Sequence, residues 1–516
     1  MAIKPYHYEP ATDFSIPANR KAMEAALQQV KDEMGLSYPL VIGAERIDTE
    51  KKIVSVNPSH PQQVVGSVSK SEASHIDRAL QEGWKAFDSW KRVPGPDRAR
   101  YLYKAAAIMR RKKLWLSAVE VYEAGKTWAE AEGDVTEAID FMEYYGRQME
   151  RLSGPVALTP LADEDDRAFY MPLGVGAIIP PWNFPLAILT GMTSSAIVAG
   201  NCVILKPAST TPVIAAQFVD IMHEAGLPDG VLNFVPGDGG TIGDYIVTHP
   251  LTRFISFTGS REVGLRINQL AAQVAPGQKW IKRVTVEMGG KDAILVDETA
   301  DLDVAAQDIV TSAFGFQGQK CSACSRAIIV DEVYDALLEK IIARTKALTV
   351  GAAENVNNQV GPVIDPKAFE KVHSYISWGK EHARLETGGE KLDMEGYFIP
   401  PTIFSDVQPG SKLEQEEVFG PVLAVIRARN WQDGLDIAND TEYGLTSSVF
   451  SARRERIEQA AQELEVGNLY INRKCTGAIV GSHPFGGFNM SGTDSKTGSP
   501  DYLLLFMQMK AVAERF

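Results

Sequence analysis

The chain has 516 residues, 45% hydrophobic and 23% charged, a composition suited to several soluble domains at about 100–200 residues each. Its formal charge of −14 argues against broad binding to nucleic acid or anionic membranes, yet leaves room for a local basic pocket that takes an anionic substrate. Four cysteines (Cys202, Cys321, Cys324 and Cys475) are too few to staple a chain this long, which points to a reducing compartment.

Residues 1–10 hold no basic stretch followed by an apolar one, so no secretory signal is expected. Residues 18–35 have the spacing of a helical arm. Residues 40–43 and 52–58 are short strands ending in turn residues. Residues 71–88, 97–113 and 114–150 carry helical periodicity with charged outer faces. Ser153-Gly154-Pro155 ends that run. Residues 156–170 read as two short segments around an acidic turn, Asp163-Glu164-Asp165-Asp166. Such a hairpin is either solvated or projects to a partner subunit. Residues 168–205 carry no charge, but Pro172, Pro180, Pro181, Asn183, Pro185 and Asn201 interrupt them. A membrane span needs about 20 continuous apolar residues, so this stretch reads as buried strand, loop, helix and strand.

From there the α/β alternation is clear. Strands at 175–179, 202–206, 231–235 and 254–258 alternate with helices at 186–199, 211–225, 240–248 and 261–273. Continuous apolar strands between helices imply a parallel sheet covered on both faces. Ligands bind at the carboxyl ends of such strands, where Lys206, Thr258, Gly259 and Ser260 fall. A second series has strands at 293–296, 327–330, 422–425 and 447–450, with helices such as 333–348 and 457–464. It forms a second domain carrying Cys321.

Singly, the chemical motifs are ambiguous. Cys321 is either a small core residue or a loop nucleophile; its polar neighbours Gln319, Lys320 and Ser322 suit a loop open to a cleft, and Lys320 would favour the thiolate. Cys321 and Cys324 span a Cys-x-x-Cys, which is also the spacing of a redox pair or half a zinc site, but no second pair stands at zinc spacing. Ser260 is an ordinary helix cap or a phosphate contact. Glu287, before Gly289-Gly290, is a base or a carboxylate tied to a turn. Glu417 is a ligand contact or an acidic helix end.

Together and in order, Pro181-Trp182-Asn183-Phe184-Pro185, Lys206-Pro207-Ala208-Ser209, Phe257-Thr258-Gly259-Ser260, Glu287-Met288-Gly289-Gly290-Lys291, Gly318-Gln319-Lys320-Cys321, Glu417-Val418-Phe419-Gly420-Pro421 and Pro484-Phe485-Gly486-Gly487 resemble the aldehyde dehydrogenase superfamily. Within it, Gln319-Lys320-Cys321-Ser322, residues 475–481, Phe488-Asn489-Met490-Ser491-Gly492-Thr493 and the ending 509–516 resemble the branch that oxidises glutamate 5-semialdehyde to glutamate.

The resemblance implies an α/β fold with a Rossmann-type cofactor domain, an α/β catalytic domain and a small β flap for oligomerisation. Its implied parts are an arm at 1–37, an NAD-binding domain at 38–152 and 172–286, and a catalytic domain at 287–475. A substrate-anchor loop at 476–492 and a flap of 153–171 with 493–516 complete it. It implies Cys321 as nucleophile, Glu287 as base and Asn183 as oxyanion donor. Trp182, Lys206, Gly259, Ser260, Glu417 and Phe419 are the implied cofactor contacts. Ser209 stands where many strictly NAD-dependent relatives carry glutamate, so NAD is expected with NADP as a poorer substitute. Ser322, Gly477 and Ala478 are the implied carboxylate donors, and Phe184 and Phe485 sandwich the aliphatic carbons. No metal is expected, and a cytoplasmic homo-oligomer is. The rivals are an enzyme for another acidic semialdehyde, a catalytically silent binding protein, and a Cys321/Cys324 redox dithiol.

Overall fold

The computed structural model describes residues 5–516; the first four residues of the expected arm lie outside the described residues. Two seven-stranded sheets organise the chain. In the first, Arg283–Glu287, Phe254–Thr258, Val175–Ile179, Cys202–Leu205 and Leu232–Phe234 lie side by side and parallel. Leu40–Ile42 and Glu45–Ile47 extend its far edge antiparallel. Cys202 to Leu205 are buried throughout because helices cover the sheet. The Ala187–Val198 helix is uncharged, with only small hydroxyl residues among its apolar ones, and almost wholly buried, in large part against Trp128–Leu152, so it shows no amphipathic stripe.

The second sheet runs Arg384–Thr387, Thr402–Ser405, Val422–Ala428, Cys324–Val330, Asp292–Val296, Thr446–Phe450, Asn468–Ile471, parallel except at its first edge. Side chains alternate across it. Ala293, Leu295 and Ile328 enter one core; Ile294, Val296, Ala327 and Ile329 enter the other. Glu287 is the last residue of the first sheet and Asp292 the first strand residue of the second. The α/β fold with two parallel sheets is therefore as expected.

Three local expectations change. Residues 114–150 are two helices, Lys113–Ala124 and Trp128–Leu152. They part at Gly125, which has φ +66° and where a Cβ would stand 2.8 Å from Pro362 and 2.9 Å from Pro58. Residues 240–248 start as a wide turn over Gly239–Gly243, and only Asp244–Thr248 is α-helical, because the glycine run favours neither. The acidic turn closes no local hairpin: Glu164–Pro172 pairs antiparallel with Met507–Arg515, over 300 residues on. No helix among the described residues is long and apolar enough to cross a membrane.

Candidate active site

Cys321 follows a tight turn in which Phe316, Gln317 and Gly318 all have positive φ (47°, 57° and 67°). Two non-glycine residues in that region are costly, and the surroundings hold them there. Gln317 Nε2 donates to the carbonyls of Gly125 and Pro362 at 3.1 and 2.7 Å, and Gln319 Oε1 accepts from Ile364 N–H at 2.9 Å. At Gly318 a Cβ would stand 2.4 Å from the Gly420 carbonyl, so only glycine fits. Asn183, 4% exposed, donates through Nδ2 to the Gln319 carbonyl at 2.9 Å. That bond uses one amide hydrogen and sets the side chain two residues from Cys321. Among the described residues the Cys321 N–H has no protein acceptor.

Lys320 does not serve the thiolate. Its Nζ is taken by Glu130, at 2.7 and 2.8 Å to the two carboxylate oxygens. Burial pushes the Cys321 thiol well up, and the carboxylates of Asp292, Glu417 and Glu287 add to the rise. The resting group is therefore a thiol that needs a base. Glu287 is suited to that: burial raises its pKa to about 7, against the lowering hydrogen bonds that it accepts from Ser495 Oγ (2.6 Å), Ser495 N–H (3.1 Å) and Gly487 N–H (3.1 Å).

Cys321, Glu287, Phe184, Ser322, Gly477, Ala478 and Phe485 line one cavity of about 490 Å³. Cys324 is buried, with Sγ 3.5 Å from the Arg326 carbonyl, and is not in that lining.

The expected cofactor contacts gather outside this cavity. Trp182, the Lys206–Ser209 segment and Gly259-Ser260 follow the carboxyl ends of three neighbouring strands of the first sheet. Ser260 precedes the Arg261–Ala271 helix but its side chain does not cap it, so the first-turn N–H groups stay open. Lys206 is 7% exposed, and burial lowers its pKa to about 8. From the stretch leading into Val422–Ala428 of the second sheet, Glu417 accepts from Gly290 N–H at 3.0 Å. A Cβ at Gly289 would stand 2.4 Å from that carboxylate, so the glycine pair is what admits it. The Phe419 ring meets Trp182 edge-on at 5.5 Å. Open N–H groups, a buried ammonium and a half-buried carboxylate are what a dinucleotide's pyrophosphate and ribose hydroxyls require, and the set fits one.

Sequence reasoning passed over several cavity residues. Glu130, Asp134 and Glu137 line it from one face of the Trp128–Leu152 helix. Their i, i+4, i+7 spacing was a visible signal. Lys126, in the break after Gly125, has a fully buried side chain paired with Asp134 and Glu120. Its Nζ lies 4.4 Å from the Phe184 ring and 4.9 Å from Phe316, so one cation packs both rings in place. Nothing local in the sequence marks Lys126 as buried.

The description of the aldehyde dehydrogenase family matches residues 46–512. The 1-pyrroline-5-carboxylate dehydrogenase of Geobacillus kaustophilus is 57% identical over 514 residues, covering 100% of both chains. A crystal structure of 1-pyrroline-5-carboxylate dehydrogenase from Thermus with bound NAD superposes with a TM-score of 0.99 at 53% identity, again over 100% of both chains. Proline utilization A from Bdellovibrio bacteriovorus superposes with a TM-score of 0.98 at 45% identity; the match covers 100% of this chain and 54% of that one.

Proposed function

The chain belongs to the aldehyde dehydrogenase family, and on that premise we propose that it oxidises L-glutamate 5-semialdehyde, the open form of 1-pyrroline-5-carboxylate, to L-glutamate with NAD, a step of proline and arginine breakdown. The observation that carries this is the shared cavity: one thiol, the Glu287 carboxylate with a pKa near 7, and backbone N–H groups at Gly477 and Ala478 that are unpaired among the described residues.

Cys321 Sγ bonds to the aldehyde carbon as its proton passes to the Glu287 carboxylate. The developing oxyanion takes hydrogen bonds from Asn183 Nδ2 and Cys321 N–H. NAD, when bound, accepts the hydride from that carbon. Cys321 then carries a thioester. Glu287, once it has released that first proton to solvent, takes a proton from water as the water attacks the thioester carbon; the C–S bond then breaks, the sulfur regains a proton, and glutamate leaves with the thiol restored. Trp182, Lys206, Gly259, Ser260, Glu417 and Phe419 hold the dinucleotide. Ser209 puts no charge against a 2′-phosphate, so NADP turns over more slowly than NAD but measurably. Saturation kinetics with each dinucleotide check this.

Asn183→Ala is expected to lower kcat about 10²-fold, the usual effect of losing one oxyanion donor. Stopped-flow NADH formation should show the loss in the first turnover. Ser322 and the N–H groups of Gly477 and Ala478 take the substrate carboxylate, with Phe184 and Phe485 on its carbons. A site built to pair that group rejects an aldehyde lacking it. Ser322→Ala should therefore raise KM for the semialdehyde about tenfold and leave KM for propanal little changed. Equal shifts would count against the assignment.

The flap strands expose Phe169 and Met509 at 42% and 51%, which supports self-association through the flap into a homo-oligomer, and four free cysteines suit a reducing compartment such as the cytoplasm. Light scattering giving a monomer mass would contradict the assembly. The substrate itself is tested by NADH production from pyrroline-5-carboxylate against succinate semialdehyde and propanal. Preference for the first is expected; better turnover of another acidic semialdehyde would keep the mechanism and move the substrate.

A further inference from the structure

The N–H groups of Gly477 and Ala478 need something to turn them into the cavity, and that something lies outside it. Arg473 is not part of the cavity wall; it lines a shallow groove on the other side of the loop, with Tyr470 and His483. One terminal guanidinium nitrogen donates to the Thr476 carbonyl at 2.9 Å and to the Gly477 carbonyl at 3.1 Å. In a trans peptide the C=O of one residue and the N–H of the next point in opposite directions. Drawing the carbonyls of residues 476 and 477 outward therefore turns the N–H groups of residues 477 and 478 inward. Gly477 has φ +75°, a conformation that glycine permits but does not impose, so the loop needs an outside hold.

Arg473 is itself held. Its Cζ lies 4.4 Å from the Tyr470 ring centroid, and Tyr470 meets the His483 ring edge-on at 5.8 Å. Ser448 Oγ donates to the Arg473 carbonyl at 2.5 Å. His483 Nδ1 accepts from Ile479 N–H at 3.2 Å, tying the same stack to the far side of the loop. The chain thus spends an arginine, a tyrosine and a histidine on the back of a loop whose front presents two bare donors.

We propose that Arg473 is the positioning residue for substrate carboxylate recognition: by gripping two carbonyls from behind, it directs two N–H groups at the substrate and polarises them with its charge. The proposal rests on the reading of Gly477 and Ala478 as carboxylate donors. A planar guanidinium resting on an aromatic face does this better than an ammonium, which is a hydrated point charge on a flexible stem.

The test measures kcat and KM for pyrroline-5-carboxylate and for propanal in wild type, Arg473→Gln and Arg473→Lys. The expected result is a KM for pyrroline-5-carboxylate about tenfold or more higher in Arg473→Gln, with kcat changed far less and kcat/KM for propanal within about twofold. Arg473→Lys should fall between, because it keeps the charge and loses the planar stack. Retained propanal turnover shows that the variant is folded. If Arg473→Gln loses both activities, the lysine variant decides by the same split. Equal changes for the two aldehydes, or none for either, overturn the proposal. A wild type that does not favour pyrroline-5-carboxylate at all overturns the function above instead, and is seen before any variant is made.

Discussion

Cys321→Ala is expected to lower kcat for pyrroline-5-carboxylate by at least about 10⁴-fold while dinucleotide binding persists. Cys321 is the one cysteine in the cavity wall, and its neighbour in sequence, Cys324, is buried with its sulfur on a backbone carbonyl. Cys202 and Cys475 are also buried. No other thiol stands ready to replace it. The dinucleotide contacts sit outside the cavity, so their binding is read separately by fluorescence titration. Cys324→Ala should keep most of its turnover, which separates this mechanism from a dithiol that needs both sulfurs. Cys321→Ala with near-normal turnover would place the nucleophile elsewhere.

Glu287→Gln is expected to lower steady-state turnover about 10³-fold or more, toward the upper end for a lost general base. The first NADH should still form, slowly, since the thioester precedes base-assisted hydrolysis. The pH profile carries a sign. Burial raises the Glu287 pKa to about 7, and only the carboxylate can take a proton. Wild-type kcat should therefore rise with pH through about 7 and level off above it, and Glu287→Gln should lose that rise. A profile that falls over the same range, or a variant that keeps the wild-type rise, would assign the base to another group. Glu137 and Asp140, raised by burial to about 8 and about 6 in the same cavity, are the alternatives.

The legible parts of the molecule are those with a local physical cause. Strands such as Cys202–Leu205 are continuous apolar runs because both sheet faces are covered, and that pattern survives in one dimension. The loop around Cys321 announced itself by glycines and polar neighbours. What escaped depends on partners far apart in the chain. Lys320 next to a cysteine suggested thiolate support, but Glu130, 190 residues away, claims it. The acidic residues after Asp163 suggested a hairpin, but their strand pairs with the C-terminal one. Gly125 splits a helical pattern whose periodicity runs on through it, and its positive φ is enforced by packing against Pro58 and Pro362. Nothing in the sequence marks Arg473, because the Thr476 and Gly477 carbonyls meet it only once the loop folds back.

The most direct measurement is peptide mapping by mass spectrometry of Glu287→Gln, mixed with pyrroline-5-carboxylate and NAD and quenched in acid within the first turnover. A glutamyl thioester on the peptide containing Cys321 is expected, matching the NADH already released and absent from Cys321→Ala. NADH release with no adduct at Cys321, or an adduct on a different residue, would contradict it.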